Sequence, residues 1–281
     1  MQMDKYAEIK EKLLETAKQD EHMKAVIMIG SSTRTITKAD EYSDLDLIIA
    51  TDDTNSWLYG DMPDQLGDLK ISFVEPTLGG GKERRVLYDG YLDVDMIIFT
   101  KEQLVNAIHT GAANEVMNRG YSVLYDSMGI TELLKDNIVA EVHAAEFSEA
   151  EYLNMVNDFY FHIIWAAKKL LRGELWSAKM CMDAYLKNYL LKMLEVYTIS
   201  RYHTDVWHDG RFLDRWAEEA VRQKLKECFA HYDKEDMWKA LTATEELFTG
   251  LARETAQMKG YSYPAEAEKT AECFLKEKRK V

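Results

Sequence analysis

Chemistry in this chain concentrates in short aspartate pairs placed where apolar runs begin. Asp44-Leu45-Asp46 opens the run LDLIIAT, and Asp93-Val94-Asp95 opens VDMIIFT. On extended backbone, residues i and i+2 project from the same side, so Asp44 and Asp46 converge while Leu45 turns into the core. Two carboxylates so close repel each other. They become tolerable with a hard cation between them, and carboxylate oxygens are the ligands Mg²⁺ prefers. A third carboxylate from a neighbouring strand would complete a two-metal clamp. Such a clamp steadies the attacking and leaving oxygens of an in-line phosphoryl displacement.

A complementary feature precedes the pair. The apolar run AVIMI leads into Gly30-Ser31, and twelve residues separate Ser31 from Asp44. A glycine directly after a buried strand lets backbone approach a phosphate closely. The Ser31 hydroxyl and nearby N–H groups suit triphosphate oxygens. Ser32 continues the polar loop and Arg34 adds positive charge. Alone, a D-x-D is a common solvated strand end. The ordered set of strand, Gly-Ser, D-x-D strand and a further acidic strand is far more specific.

Elements must hold these groups in place. Tyr6, Ile9, Leu13, Leu14 and Ala17 recur at helical spacing and predict a helix over 4–18. AVIMI (25–29), LDLIIAT (45–51), KISFVE (70–75), VDMIIFT (94–100) and YSVLYD (121–126) read as buried strands, with loops and short helices such as Glu102–His109 between them. Near Thr131–Ser148 the texture changes. From 149 onward Leu153, Val156, Phe159, Tyr160, Ile163, Ile164, Ala167 and Leu171 follow a period of 3.6. Further helices are expected over Ala178–Val196, Phe212–Ala230, Asp233–Lys259 and Ala265–Lys278. The expected fold is therefore α+β, a mixed α/β domain over 1–135 followed by an all-α helical domain over 136–281.

Composition narrows the function classes. The 281 residues suffice for one large or two modest domains. The formal net charge of −14 repels nucleic acid, and the one dense basic stretch is the short Lys276–Lys280 tail. The same acidity suits a cationic small molecule. The three cysteines are widely separated, which speaks against a disulfide framework or a structural zinc site and fits a reducing cytoplasm. No apolar stretch approaches the ~20 residues of a membrane span.

On these residues the sequence resembles the nucleotidyltransferase superfamily, whose signature is h-G-[GS] followed by D-h-[DE]-h. MIGSSTRTITKADEYSDLDLIIATDD and RVLYDGYLDVDMIIF resemble the aminoglycoside 6-adenylyltransferases, the streptomycin-modifying group. KKLLRGELWSAK and YPAEAEKTAECFLKE extend the likeness, more loosely, through the helical half. The resemblance implies a palm-like mixed sheet and a helical domain closing a nucleotide and acceptor cleft. It implies Mg²⁺-dependent transfer of AMP from ATP to an aminoglycoside hydroxyl, releasing pyrophosphate and inactivating the drug.

Carried over residue by residue, Gly30 and Ser31 match the phosphate turn and Asp44 and Asp46 the metal pair. Asp95 matches the third carboxylate, with Asp93 competing because one extra residue blurs the register. Lys179 and Arg211 are candidates to neutralise triphosphate charge. Arg172, Glu174 and Glu146 are weaker candidates for acceptor binding, and the general base is open between Asp95, Glu174 and Glu146. The assembly expected is a monomer or homodimer. Two other readings stay open: a nucleotidyltransferase acting on another small-molecule or protein hydroxyl, and a nucleotide-binding module without turnover. The seven histidines lack a metal pattern. Gly79-Gly80-Gly81-Lys82 lacks the helix opening of a P-loop and reads as a loop near the substrate mouth. Five tryptophans, among them Trp207, sit in helical stretches as core residues.

Overall fold

The computed structural model describes residues 4–34, 39–77, 81–138, 147–204, 206 and 208–279. The chain forms two compact units, Met1–His143 and Ala144–Val281.

The first unit is a six-stranded mixed sheet. Its strands are β1 (Met23–Ile29), β2 (Leu45–Thr51), β3 (Leu69–Pro76), β4 (Lys82–Tyr88), β5 (Leu92–Phe99) and β6 (Ser122–Asp126). The spatial order is β3-β4-β5-β2-β1-β6. β2 and β5 run parallel, and the other neighbours pair antiparallel. β1 and β2 are interior strands and are apolar almost throughout, as strands covered on both faces must be. On one face α1 (Ala7–Gln19), α2 (Thr54–Leu58) and a 3₁₀ turn bury Ile9, Leu13, Trp57 and Leu66 against Leu45, Leu47 and Val94. On the other, α3 (Lys101–His109), α4 (Asn114–Met117) and α5 (Ile130–Asn137) cover Ile27, Ile48 and Ala50. Ile71 and Phe73 of the edge strand β3 are 57% and 50% exposed.

β4 is absent from the sequence reading, and the reason is local. KERRVLY begins with four charged residues and so reads as loop. Glu83 and Arg84 are nevertheless both buried. Arg84 donates to Ser72 Oγ at 2.7 Å, the Gly60 carbonyl at 2.5 Å and the Trp57 carbonyl at 3.3 Å. Glu83 accepts from Arg85 at 2.8 Å. Lateral partners of this kind make buried charge affordable. The triple-glycine segment joins the β3–β4 hairpin, whose last pair is Pro76 with Lys82; Gly79 and Gly80 lie outside the described residues.

The second unit is helical. α6 (Glu149–Leu171) starts at a capping box between Ser148 and Glu151. α7 (Leu175–Met180) passes through a π-helical turn, Cys181–Tyr185, into α8 (Leu186–Tyr202). α9 (Leu213–Trp216) and α10 (Glu219–Glu227) follow, then α11 (Lys234–Lys259) and α12 (Ala265–Lys278). α6, α8, α11 and α12 share one core, with Phe159 and Phe248 stacked at 3.6 Å between centroids. The single helix expected over Phe212–Ala230 is broken at Ala217 and Glu218, which are extended. There Glu218 accepts from the hydroxyls of Tyr197 at 2.9 Å and Tyr202 at 2.6 Å. Among the described residues no helix is long and apolar enough to cross a membrane.

Candidate active site

Strand register assembles the acidic site. β2 and β5 are adjacent and parallel, with Asp46 opposite Asp95 and Leu45 opposite Val94. Asp44 sits just before β2. One carboxylate oxygen from each of Asp44, Asp46 and Asp95 lies within 4.8 Å of the others, and all three residues are half-buried. Asp93, two residues earlier on β5, is exposed and stands outside this cluster. It lines, with Asp44, Asp95, Arg85, Ile71 and Phe73, a groove of about 270 Å³ on the open part of the sheet.

The approach of the chain to Asp44 is pinned. Asp40 accepts from the Tyr42 N–H at 2.9 Å and its N–H donates to Ser43 Oγ at 2.9 Å. The buried Tyr6, just before α1, donates its hydroxyl to the Ser43 carbonyl at 2.8 Å. Burial, together with the negative charges of Asp93 and Asp44, holds that hydroxyl above the ordinary phenol range, so it remains a donor.

β1 brings the phosphate turn to the same place. Ile29 pairs with Asp46, and Gly30 follows at φ +73° at the start of a 3₁₀ turn, Gly30–Thr33. A Cβ on Gly30 would lie 1.8 Å from Asp46 Oδ2. Both the left-handed backbone and this close approach require glycine. Thr33 Oγ1 lies 2.9 Å from the carbonyl oxygens of Gly30 and Gly120, fastening the turn to the segment before β6. The Ser31 hydroxyl is buried with no hydrogen-bond partner among the described residues. Buried hydroxyls are rarely left unsatisfied, so an oxygen-rich ligand has a waiting donor here. Ser32 is exposed and Arg34 half-buried.

Arg85 is a cation of this site, and sequence reasoning missed it together with its strand. It stands opposite Asp95 in the β4–β5 register. Its guanidinium lies 3.3 Å from Asp95, 2.7 Å from Glu75 and 2.8 Å from Glu83. Burial pushes the Asp95 carboxyl up to about 7; Arg85 opposes this, while Asp46 and Asp44 reinforce it. The three aspartates thus gather a local excess of like charge. That excess, an orphaned Ser31 hydroxyl and a glycine without room for a Cβ are what a divalent cation with a polyphosphate would need.

The remaining candidates lie in the helical unit. Glu174 is bridged by Lys169 and by Arg172, the latter at 2.6 Å. The hydrogen bond from Lys169 holds its carboxyl below the ordinary range, which makes it a weak base. Lys179 pairs with Asp183 one turn on. Arg211 is exposed, and its carbonyl accepts from the Trp216 indole at 2.9 Å. Glu146 and Trp207 lie outside the described residues.

A sheet that sets a glycine-serine turn against an aspartate pair, with a third aspartate in register alongside, defines a nucleotidyltransferase. The particular family follows from the whole chain. Residues 3–278 match the streptomycin adenylyltransferase family, and the chain belongs to it. It is therefore an enzyme of the nucleotidyltransferase class. Among its relatives is the aminoglycoside 6-adenylyltransferase of Campylobacter jejuni, 21% identical, with 97% of this chain and 96% of the relative covered. The protein of the same name from Bacillus subtilis (strain 168) is 20% identical over 89% of this chain and 90% of its own. A crystal structure of an aminoglycoside 6-adenyltransferase from Bacillus subtilis aligns over 98% of both chains at 16% identity, with a TM-score of 0.46.

Proposed function

We propose that this enzyme transfers AMP from ATP to a hydroxyl of a streptomycin-like aminoglycoside, the 6-position being the expected target, and releases pyrophosphate. Drug inactivation is the consequence in this reading. The observation that carries it is the gathering of Asp44, Asp46 and Asp95 within 4.8 Å beside Gly30. Those three carboxylates would hold Mg²⁺. Bound there, Mg²⁺ supplies positive charge to the oxygens that attack and leave in the displacement.

The chain's own groups do the rest. Gly30 keeps backbone and carboxylate close enough for the triphosphate to reach both. Ser31, whose buried hydroxyl has no partner among the described residues, donates it to a phosphate oxygen. Ser32 and Arg34 extend the same polar surface. Arg85 balances Glu75 and Glu83 beside Asp95, which limits the charge on that strand. Lys179 and Arg211 are assigned to the triphosphate, and Arg172 and Glu174 to the acceptor, as the roles that best suit their charge. Asp95 is the general-base candidate inside the cluster. The acidic balance of the chain suits a cationic acceptor.

The test is mass spectrometry of an aminoglycoside panel after incubation with the purified chain, ATP and Mg²⁺. A gain of one AMP on streptomycin or a relative is expected, abolished by chelation with EDTA. Release of no pyrophosphate across the panel would sink the assignment.

A further inference from the structure

The helical unit holds a cluster of polar and aromatic side chains of its own. α6 presents Asp158, His162 and Trp165 along one face. The π-helical turn ends at Tyr185, and Tyr189 follows one turn later on α8. Tyr185 donates to Asp158 Oδ1 at 3.0 Å and Tyr189 donates to Asp158 Oδ2 at 2.7 Å. The Tyr185 and His162 rings are 4.2 Å apart and the two tyrosine rings 5.1 Å apart. The site is open: Tyr185 is 37% exposed, and the Asp158 and His162 side chains 26% each. π-helical turns re-aim side chains and recur at functional sites.

The hydrogen bonds fix what such a site can bind. His162 Nδ1 faces two acceptors, Asp158 Oδ1 at 2.6 Å and the Asp158 carbonyl at 3.0 Å, so the ring proton sits on Nδ1. In the neutral ring Nε2 is then an acceptor. The two hydroxyls face Asp158 and lie 3.4 Å from each other, so both phenol protons are used within the cluster and the oxygens have lone pairs left to offer. The hydrogen bond to Tyr185, then burial, then the bond to Asp158 keep the Tyr189 hydroxyl protonated. Lone pairs, a carboxylate charge and aromatic faces thus meet in one place. A ligand there needs several N–H donors and a positive charge. On the same helix Lys169 already rests over the Trp165 ring at 5.1 Å, so this wall accepts a cation.

We propose that Asp158, His162, Tyr185 and Tyr189 form a binding site for an organic ammonium or guanidinium group, and that it recognises the cationic acceptor. The second clause rests on the function proposed above. The site accounts for acceptor selection through groups other than the metal carboxylates.

The experiment is calorimetric titration of streptomycin, whose guanidino groups supply the donors, into the full chain with Mg²⁺ and a non-hydrolysable ATP analogue. Asp158→Asn is expected to weaken streptomycin binding about tenfold or more, and the Tyr185→Phe/Tyr189→Phe pair by several-fold. The dissociation constant of the ATP analogue is expected to stay the same. Because Asp158→Asn puts an NH₂ donor in place of one oxygen of a carboxylate that serves three donors, the tyrosine pair, which keeps both rings, is the safeguard if that variant misfolds. Maltotriose, uncharged and rich in hydroxyls, is expected not to bind. Wild-type streptomycin affinity in the folded tyrosine pair overturns the site, as does absence of binding by the wild type. If no aminoglycoside receives AMP yet streptomycin binding still depends on Asp158, the cation site stands and the assigned reaction falls. If AMP is transferred and the folded tyrosine pair keeps its acceptor KM, the reaction stands and the site falls.

Discussion

The two units handle negative charge in opposite ways. In the sheet unit, Asp44, Asp46 and Asp95 crowd within 4.8 Å, and Arg85 reaches one of them at 3.3 Å. In the helical unit, Glu268 is 8% exposed and satisfied on every side. Arg253 grips it with two donors, and Tyr263 donates to it at 2.7 Å. Tyr263 meets Tyr160 at 2.7 Å, Tyr160 meets Thr249 at 2.8 Å, and Thr249 donates to Glu245 at 3.1 Å. One arrangement is a network closed on itself, which ties α6, α11 and α12 together. The other crowds three carboxylates against one another, and strain of that kind persists where a ligand relieves it. The difference teaches that carboxylate number is uninformative by itself; whether the neighbours are donors or like charges decides how a carboxylate behaves.

The comparison can be broken by removing charge from each side. Asp44→Asn is expected to lower turnover at least about a thousandfold, equivalent to about 4 kcal/mol. Without metal, the same variant should keep or gain thermal stability, because one like-charge neighbour is gone. Steady-state kinetics and calorimetric melting check both halves. Gly30→Ala comes next. Its Cβ must displace the Asp46 carboxylate, so activity is expected to fall about a hundredfold and the sheet unit to lose roughly 2 kcal/mol. Hydrogen exchange resolved by unit would show whether the loss stays in the first.

Glu268→Ala tests the other side. It strands Arg253 and Tyr263, and should cost about 2 kcal/mol in the helical unit, a loss opposite in sign to the effect of Asp44→Asn. Glu245 sharpens the point through pH. Burial pushes its carboxyl up to about 7. The folded state therefore binds this proton more tightly than the unfolded chain, where it leaves near 4. Stability from Glu245 is present in full below about pH 4 and fades as pH rises through 7. Between pH 5.5 and 8.5 the helical unit should lose about 2 kcal/mol from this group, and Glu245→Gln should flatten that fall in thermal melts. The smallest effect is at Tyr6. Tyr6→Phe removes the bond to the Ser43 carbonyl, and should cost about 1 kcal/mol and a few-fold in kcat. An unchanged kcat would show that the approach to Asp44 is held by the Asp40 turn alone.

Much of the sheet was legible before the fold was seen, because strands buried on both faces have continuous apolar runs. β2 matches its run, LDLIIAT, at both ends. β4 was illegible because its buried Arg84 finds its hydrogen-bond acceptors more than ten residues away. Arg85 went with it. The boundary between α9 and α10 was missed for a related reason: the acceptor role of Glu218 depends on tyrosines of α8. The π-helical turn carries no periodic signature that separates it from α-helix over five residues.

The sequence by itself determined the order of the chemical parts: a turn that only glycine can make, a serine, and carboxylates at i and i+2. Those rest on local backbone geometry, which neighbouring residues dictate. The family pattern favoured Asp95 over Asp93, but only the tertiary structure set Asp95 inside the cluster and Asp93 outside it. Both lie on one strand face, and no local rule ranks them. The parallel register of β5 against β2 sets Asp95 beside Asp46 and leaves Asp93 in solvent. Pairing between distant segments is a property of packing, and a one-residue slip would have turned β5's acidic face away.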